Sequence, residues 1–380
     1  MGSFDYRALQ REVAEFAARE IAPRAGLNQA KDFPAELWRA MAEAGLLAIA
    51  LPAEYGGRDG DYRALAVTME TLADAGGCQG VAISWMSHAL LSRLHFLRLG
   101  TAEQKSRYLP ELAAGRHTPC MAISEPGAGA HPKHLATRAV ADGDDVVLNG
   151  EKAFLTNGPL ADLFLVLAIS GEVDGRRSFT SFIVPRRTPG LELVEGVKID
   201  FLHPSPHCGI KLNDCRIPAS QHLGPVGDAF NAVSLPMRRT EDALGAAKSA
   251  GAMRHRLRLL ARAAAARPAE AEMEAVLGRL AAAPAGLSAM AWRAAELLDA
   301  NQADDDAGTE TIAALAAAAR ETGARVEAQV EDFINTWDIE VPTELAIATR
   351  DLVKTLGIAG TARDLQARKR GQALLAAANE

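Results

Sequence analysis

In "MRRTEDALGAAKSAG" (237–251) two adjacent carboxylates, Glu241 and Asp242, stand at the head of an alanine-rich helical run. A carboxylate positioned beside a reacting proton is a general base, whereas one lying beside arginines in solvent only balances charge. Asp242 points about 100° further round a helix than Glu241, so the two cannot share a site, and Asp242 reads as a surface residue. For Glu241 both readings stand: a solvated partner of Arg238, or an inward-facing group that does chemistry. A second candidate is "SEPGAG" (124–129), a turn with so little side chain that its backbone can approach a flat or anionic ligand. Alone it is more often an ordinary loop, and it is no dinucleotide fingerprint, because no GxGxxG opens a helix here. Cys78, Cys120, Cys208 and Cys215 form no CxxC pair and read as reduced thiols, and no metal-ligand spacing is found.

The chain that must position these groups has 380 residues, enough for two or three packed domains. Its 48% hydrophobic and 23% charged content is ordinary for a soluble protein. A net charge of −7 with no Lys/Arg block argues against nucleic acid or an anionic membrane as partner. The first residues carry charge and lack an apolar signal core, and no stretch approaches the roughly 18 apolar residues of a membrane span. A cytoplasmic protein is expected.

Residues 1–117 read as helical. Leu9, Val13, Phe16 and Ile21 recur near helical spacing, Asp32 is placed to cap a helix with Pro34 in its first turn, and Thr101 with Gln104 spells a capping box. "GVAISWMSHALLSRLHFLRLG" is apolar around most of its circumference, as in the middle of a bundle. Residues 118–227 are β-rich, with Asn149-Gly150 as a hairpin signal and Pro189-Gly190 as a turn, and suggest a small antiparallel barrel or sandwich. Residues 228–380 return to alanine-rich helices, with breaks expected near 266–268, 282–286 and 303–308. The fold class is α+β: a helical domain, a middle antiparallel β-barrel domain and a C-terminal helical bundle.

"SEPGAG", a spacer, then "LNGEKAFLTNGPLADLFLVLA", flanked by "GTAEQKSRYLPELAAGR" and "VKIDFLHPSPHCGIKLNDCRIPASQHLGPVGDAF", resembles the acyl-CoA dehydrogenase family. The resemblance is close from 4 to about 228 and looser beyond. It implies a flavoprotein that binds FAD between its domains and desaturates acyl thioesters, a base taking the Cα proton while hydride passes from Cβ to flavin N5. Carried over by position, Met121, Ile123 and Ser124 line the flavin, Phe154 stacks beside its ring system and Thr156 lies near N5. Read without the family, these are a core strand and a cross-strand pair. Position 130 departs: Ala130 stands where the family has a serine that touches the ligand arm, with His131 and Lys133 as partial replacements or as exposed loop residues. The resemblance further implies an acyl-CoA or acyl-carrier-protein thioester as substrate, an electron-transfer flavoprotein or similar acceptor, and an oligomer.

In many relatives the base precedes a Gly-Thr near the C-terminus, but here Ala359 precedes Gly360-Thr361. In the isovaleryl and long-chain branches the base lies ten residues ahead of a glycine, as Glu241 does ahead of Gly251. The resemblance thus implies Glu241 as base, its pKa raised by apolar neighbours, with the Ala359 backbone N–H left to polarise the thioester carbonyl. Two other family stretches are missing. "ARAAAARPAEAEMEAVLGRL" lacks an Arg-x-x-Phe-Gly, and "VEDFINTWDIEVPTEL" puts Asp338 and Glu340 where a glycine-rich pyrophosphate approach is usual. Three readings remain: a working enzyme on its own, one subunit of a heteromer, or a non-catalytic binding relative.

Overall fold

The computed structural model describes residues 4–173, 175–301, 305–358 and 360–377. Helices α1 (Tyr6–Glu20), α2 (Ala35–Glu43), α3 (Tyr62–Ala75), α4 (Gln79–Leu90) and α5 (Ala102–Ala113) come first. Leu9, Val13 and Phe16 form the buried stripe of α1. In α4 burial reaches nearly every position, and the helix runs on into a π-helical turn, Leu91–Leu97. The Thr101–Gln104 capping box is present in full at the start of α5. Asp32 is not a cap. Helix α2 starts directly after Pro34 without a side-chain bond to its first turn, so the proline's fixed φ sets the entry instead.

The middle of the chain is one sheet of β1 (Pro119–Ala122), β2 (Arg138–Asp142), β3 (Asp145–Thr156), β4 (Leu163–Val173), β5 (Arg176–Pro185), β6 (Leu191–Val194), β7 (His207–Pro218) and β8 (His222–Leu223). Their order is β6-β7-β3-β2-β4-β5-β8, with β1 beside β4. Most pairings are antiparallel, while β1 and β2 meet β4 in parallel. Asn149-Gly150 makes no hairpin. The β2–β3 turn falls at Gly143-Asp144, and Asn149-Gly150 lies inside β3, where the register against β7 slips. The Asn149 side chain explains the difference: it donates to Asp214 on β7 at 3.0 Å and accepts from the Asp214 backbone at 2.9 Å. The dipeptide thus serves a bulge rather than a turn.

Helices α6 (Leu235–Ala264), α7 (Ala271–Asp299), α8 (Asp306–Thr336), α9 (Thr343–Gly357) and α10 (Gly360–Ala377) complete the fold. A π-helical turn, Phe230–Ser234, leads into α6. The chain does break near 266–268, between α6 and α7, but not at 282–286. There α7 runs straight through with Pro284 buried inside it, local propensity yielding to tertiary packing. The N- and C-terminal helices share one core, with Leu72 and Met69 of α3 beside Leu244 and Met253 of α6. Gly251 permits this approach: a Cβ there would lie 2.1 Å from the Glu70 carbonyl oxygen on α3. The sheet has a core of its own around Leu148, Phe164, Ile210 and Ile217.

Candidate functional site

The 121–124 stretch runs alongside the end of β3. The Ala153 backbone donates to the Ser124 carbonyl at 2.8 Å, the Lys152 ammonium to the Ile123 carbonyl at 3.0 Å, and the Cys120 thiol to the Thr156 carbonyl at 3.2 Å. Met121, Ile123, Ser124 and Thr156 are half-buried, whereas Phe154 is 45% exposed. Its exposure follows from the backbone: the β3–β7 register shifts between Lys152 and Leu155, and Phe154 adopts φ 59°. That left-handed conformation is unfavourable for a bulky residue, and it turns an aromatic face outward between the buried Ala153 and Leu155. The structure therefore brings Met121, Ile123, Ser124, Phe154 and Thr156 to one edge of the sheet, the one formed by the C-terminal ends of β1 and β3.

What holds this edge is a residue that the sequence reading passed over. Glu125, inside the SEPGAG turn, is buried and accepts four hydrogen bonds: Lys152 Nζ at 2.8 Å, Ala136 N at 2.6 Å, Thr137 N at 3.0 Å and the Thr137 hydroxyl at 2.6 Å. Burial alone would raise the Glu125 pKa, but Lys152 and the hydrogen bonds outweigh it and hold the carboxyl below its usual range. The signal in the sequence was an acid in a small-residue turn with a lysine inside β3, the second strand after it. Gly127 and Gly129 have φ of 72° and 58°, and a Cβ on either would meet nothing within 4 Å. They are needed for the turn's conformation rather than for a close approach. Ala130 and His131 lie on the exposed flank of this loop, where His131 stacks on His134 at 4.9 Å.

The root of α6 is tied to the same edge: Ala229 and Val233 are buried in a cluster against which Met121, Ile123 and Phe230 pack. Along α6, Glu241 makes no hydrogen bond or ion pair with a described residue, Arg238 included. Its side chain is exposed to solvent, yet the protein mass around the head of α6 removes part of its hydration, and this desolvation pushes its pKa up to about 7. Asp242 adds to the rise, while Arg238 and Lys248 oppose it. Asp242 itself turns away and pairs with Arg320 of α8 at 3.0 Å. Two turns further along the Glu241 face, Lys248 is 4% exposed and donates no hydrogen bond to a described residue. Its burial lowers its pKa to about 8 against the pull of Asp351 on α9 and of Glu241. Ala359 lies outside the described residues.

The two C-terminal stretches that lack the family motifs are tied to each other. Arg267, between α6 and α7, pairs with Asp338 at 2.5 Å, and the Trp337 indole donates to Glu270 at 3.4 Å. Asp338 thus finds its charge partner within the chain. The four cysteines are buried and free. Among the described residues no group of three His, Cys, Asp or Glu is arranged to hold a metal, and no helix is long and apolar enough to cross a membrane.

Two family models match this chain: the acyl-CoA dehydrogenase N-terminal domain over residues 3–116 and the acyl-CoA dehydrogenase middle domain over residues 120–215. The chain belongs to the acyl-CoA dehydrogenase family. It is 34% identical over 220 residues to a probable acyl-CoA dehydrogenase, YngJ, of Bacillus subtilis (strain 168), an alignment covering 57% of each. With the mitochondrial isovaleryl-CoA dehydrogenase of Pongo abelii it shares 32% over 227 residues, 58% of this chain and 53% of that one. The chain thus matches only 57% and 53% of the length of these curated relatives. In fold the likeness runs throughout: butyryl-CoA dehydrogenase from Megasphaera elsdenii superposes with a TM-score of 0.85 over 99% of each chain, at 22% identity. Both matched family segments end before α6, so Glu241 stands in a region where this family member is related by fold.

Proposed function

We propose that this protein is an FAD-dependent dehydrogenase that introduces an α,β double bond into an acyl thioester, with Glu241 as the base. The observation that carries the reading is Glu241 itself: a carboxylate without an ion pair to any described residue, exposed to solvent, and with its pKa pushed up to about 7. A base for a carbon acid needs this combination of free lone pairs and raised proton affinity.

The sheet edge fits a flavin. An aromatic side chain held outward by a left-handed backbone, two half-buried apolar residues and two hydroxyls match a flat ring system with a polar rim. Phe154 would lie against the ring, Met121 and Ile123 under it, and Ser124 and Thr156 at its polar edge. FAD, when bound, supplies the acceptor for the hydride that leaves Cβ. Glu241 takes the Cα proton, its raised proton affinity suiting it to a carbon acid. The Ala359 backbone N–H is assigned to the thioester carbonyl, and Ala130 with His131 to the thioester's arm. An acyl-CoA or acyl-carrier-protein thioester, an electron-transfer flavoprotein or similar acceptor, a cytoplasmic setting and an oligomer of one or two kinds of chain belong to the same proposal.

The experiment is the visible spectrum of the purified chain, followed by anaerobic acyl-CoA addition to wild type and Glu241→Gln. Flavin bleaching in the wild type and none in the variant is expected. Bleaching at the wild-type rate in Glu241→Gln would remove Glu241 from the chemistry.

A further inference from the structure

Thr156 ends β3, and its hydroxyl has one partner among the described residues: His207 Nε2, 3.1 Å away on β7. The other ring nitrogen, Nδ1, lies 3.0 Å from the Ser205 carbonyl oxygen. A carbonyl can only accept, so Nδ1 carries the ring proton. Burial, which outweighs the Ser205 contact, also holds the imidazole pKa below its usual value, and the ring is neutral. Nε2 is then a bare lone pair, and the Thr156 O–H donates into it. With that proton engaged, the Thr156 oxygen has only lone pairs to offer a ligand.

The arrangement is braced against switching. The Ser205 hydroxyl bonds the Ser84 hydroxyl of α4 at 3.0 Å, the Asn157 backbone donates to the Pro206 carbonyl at 2.9 Å, and the Asn157 side-chain amide donates to the Ser84 carbonyl at 2.8 Å. A helix of the N-terminal region therefore fixes the loop that fixes the histidine, which in turn orients the threonine.

We infer that His207 is a positioning residue that makes Thr156 a pure hydrogen-bond acceptor toward flavin N5 and so favours the reduced cofactor. The inference rests on the flavin reading above. In oxidised flavin N5 bears a lone pair and is matched by a donor. Once the Cβ hydride has arrived there, and Glu241 holds the Cα proton, N5 bears a hydrogen and is matched by an acceptor. An acceptor-only Thr156 opposes the first state and stabilises the second.

The test uses the FAD-loaded protein and needs no turnover. The midpoint potential is measured by equilibration with a reference dye for wild type, His207→Phe, His207→Gln, Thr156→Val and the Thr156→Val/His207→Phe double variant. His207→Phe frees the Thr156 proton for oxidised N5 and should shift the equilibrium about tenfold toward oxidised flavin, about 30 mV for a two-electron couple. His207→Gln, whose amide oxygen can accept the same proton, should restore the wild-type value. In the Thr156→Val background His207→Phe should move nothing. An unchanged potential in His207→Phe, or the same shift with and without Thr156, overturns the inference. A chain that takes up no FAD shows this in its spectrum beforehand, and removes the flavin reading and the inference together.

Discussion

Glu125 and Lys152 meet at 2.8 Å with the carboxylate saturated by hydrogen bonds, whereas Glu241 and Lys248 lie about two turns apart on one helix and neither side chain bonds a described residue. Both couples consist of an acid and a lysine set among protein. In the first, mutual attraction and donated bonds offset desolvation, and the glutamate stays below its usual range. In the second, desolvation goes largely uncompensated, so the acid rises toward 7 and the lysine falls toward 8. A satisfied pair holds a loop in place; an unsatisfied pair keeps its proton affinity available to a ligand. The satisfied pair lies at the sheet edge proposed for the flavin, the unsatisfied one on the helix proposed to meet the substrate.

The contrast can be broken from either side. Glu125→Ala should have the largest effect, leaving a buried ammonium unpaired at a cost of roughly 3–5 kcal/mol and loosening the 124–137 loop. Chemical denaturation and protease sensitivity of that loop would report it, and a variant as stable as wild type contradicts the structural role. Glu241→Gln should slow flavin reduction about 10²–10⁴-fold while leaving the fold and flavin binding intact, read by stopped-flow and absorbance.

The pH dependence sharpens the same comparison. Glu241 has a folded pKa raised to about 7 from 4.5, so the rate should climb as pH rises through 7. Between about 4.5 and 7 stability should fall with rising pH and then level off, because the unfolded chain releases the Glu241 proton first. Lys248→Met should raise the melting temperature at neutral pH by removing a buried charge that pairs with no described residue. Lys248 is depressed to about 8 from 10.5, so this advantage should shrink as pH rises between those values. Because Lys248 lowers the Glu241 pKa, the same variant should move the rate limb to higher pH. A limb that stays in place would show that the two groups do not sense each other. Arg267→Ala should do least, under about 1 kcal/mol, since its pair with Asp338 is exposed.

Much of this was legible in the sequence, and the failures are specific. The Thr101–Gln104 box and the apolar circumference of α4 could be read because local spacing determines them. Asn149-Gly150 misled because the pairing of Asn149 with Asp214, 65 residues away, decides its conformation. Pro284 misled in the same way, since helix packing overrides its local cost. At the site, the motif pointed to the residues proposed for the flavin edge and the glycine spacing to the proposed base, Glu241. Glu125, Lys152, Lys248 and His207 went unremarked, because their roles arise from partners on other strands and helices or from a lack of partners. Neither is visible in a linear pattern.

The π-helical turn Phe230–Ser234 carries one residue more than an α-turn would need, directly upstream of α6. Such a turn works as a slack link in the chain. Losing one residue there tightens it to an α-turn while everything from Leu235 onward keeps its facing, so Glu241 would still look the same way. The protein can therefore absorb a single-codon deletion just ahead of its proposed base, whereas the same deletion a few residues later would rotate Glu241 about 100° off its line.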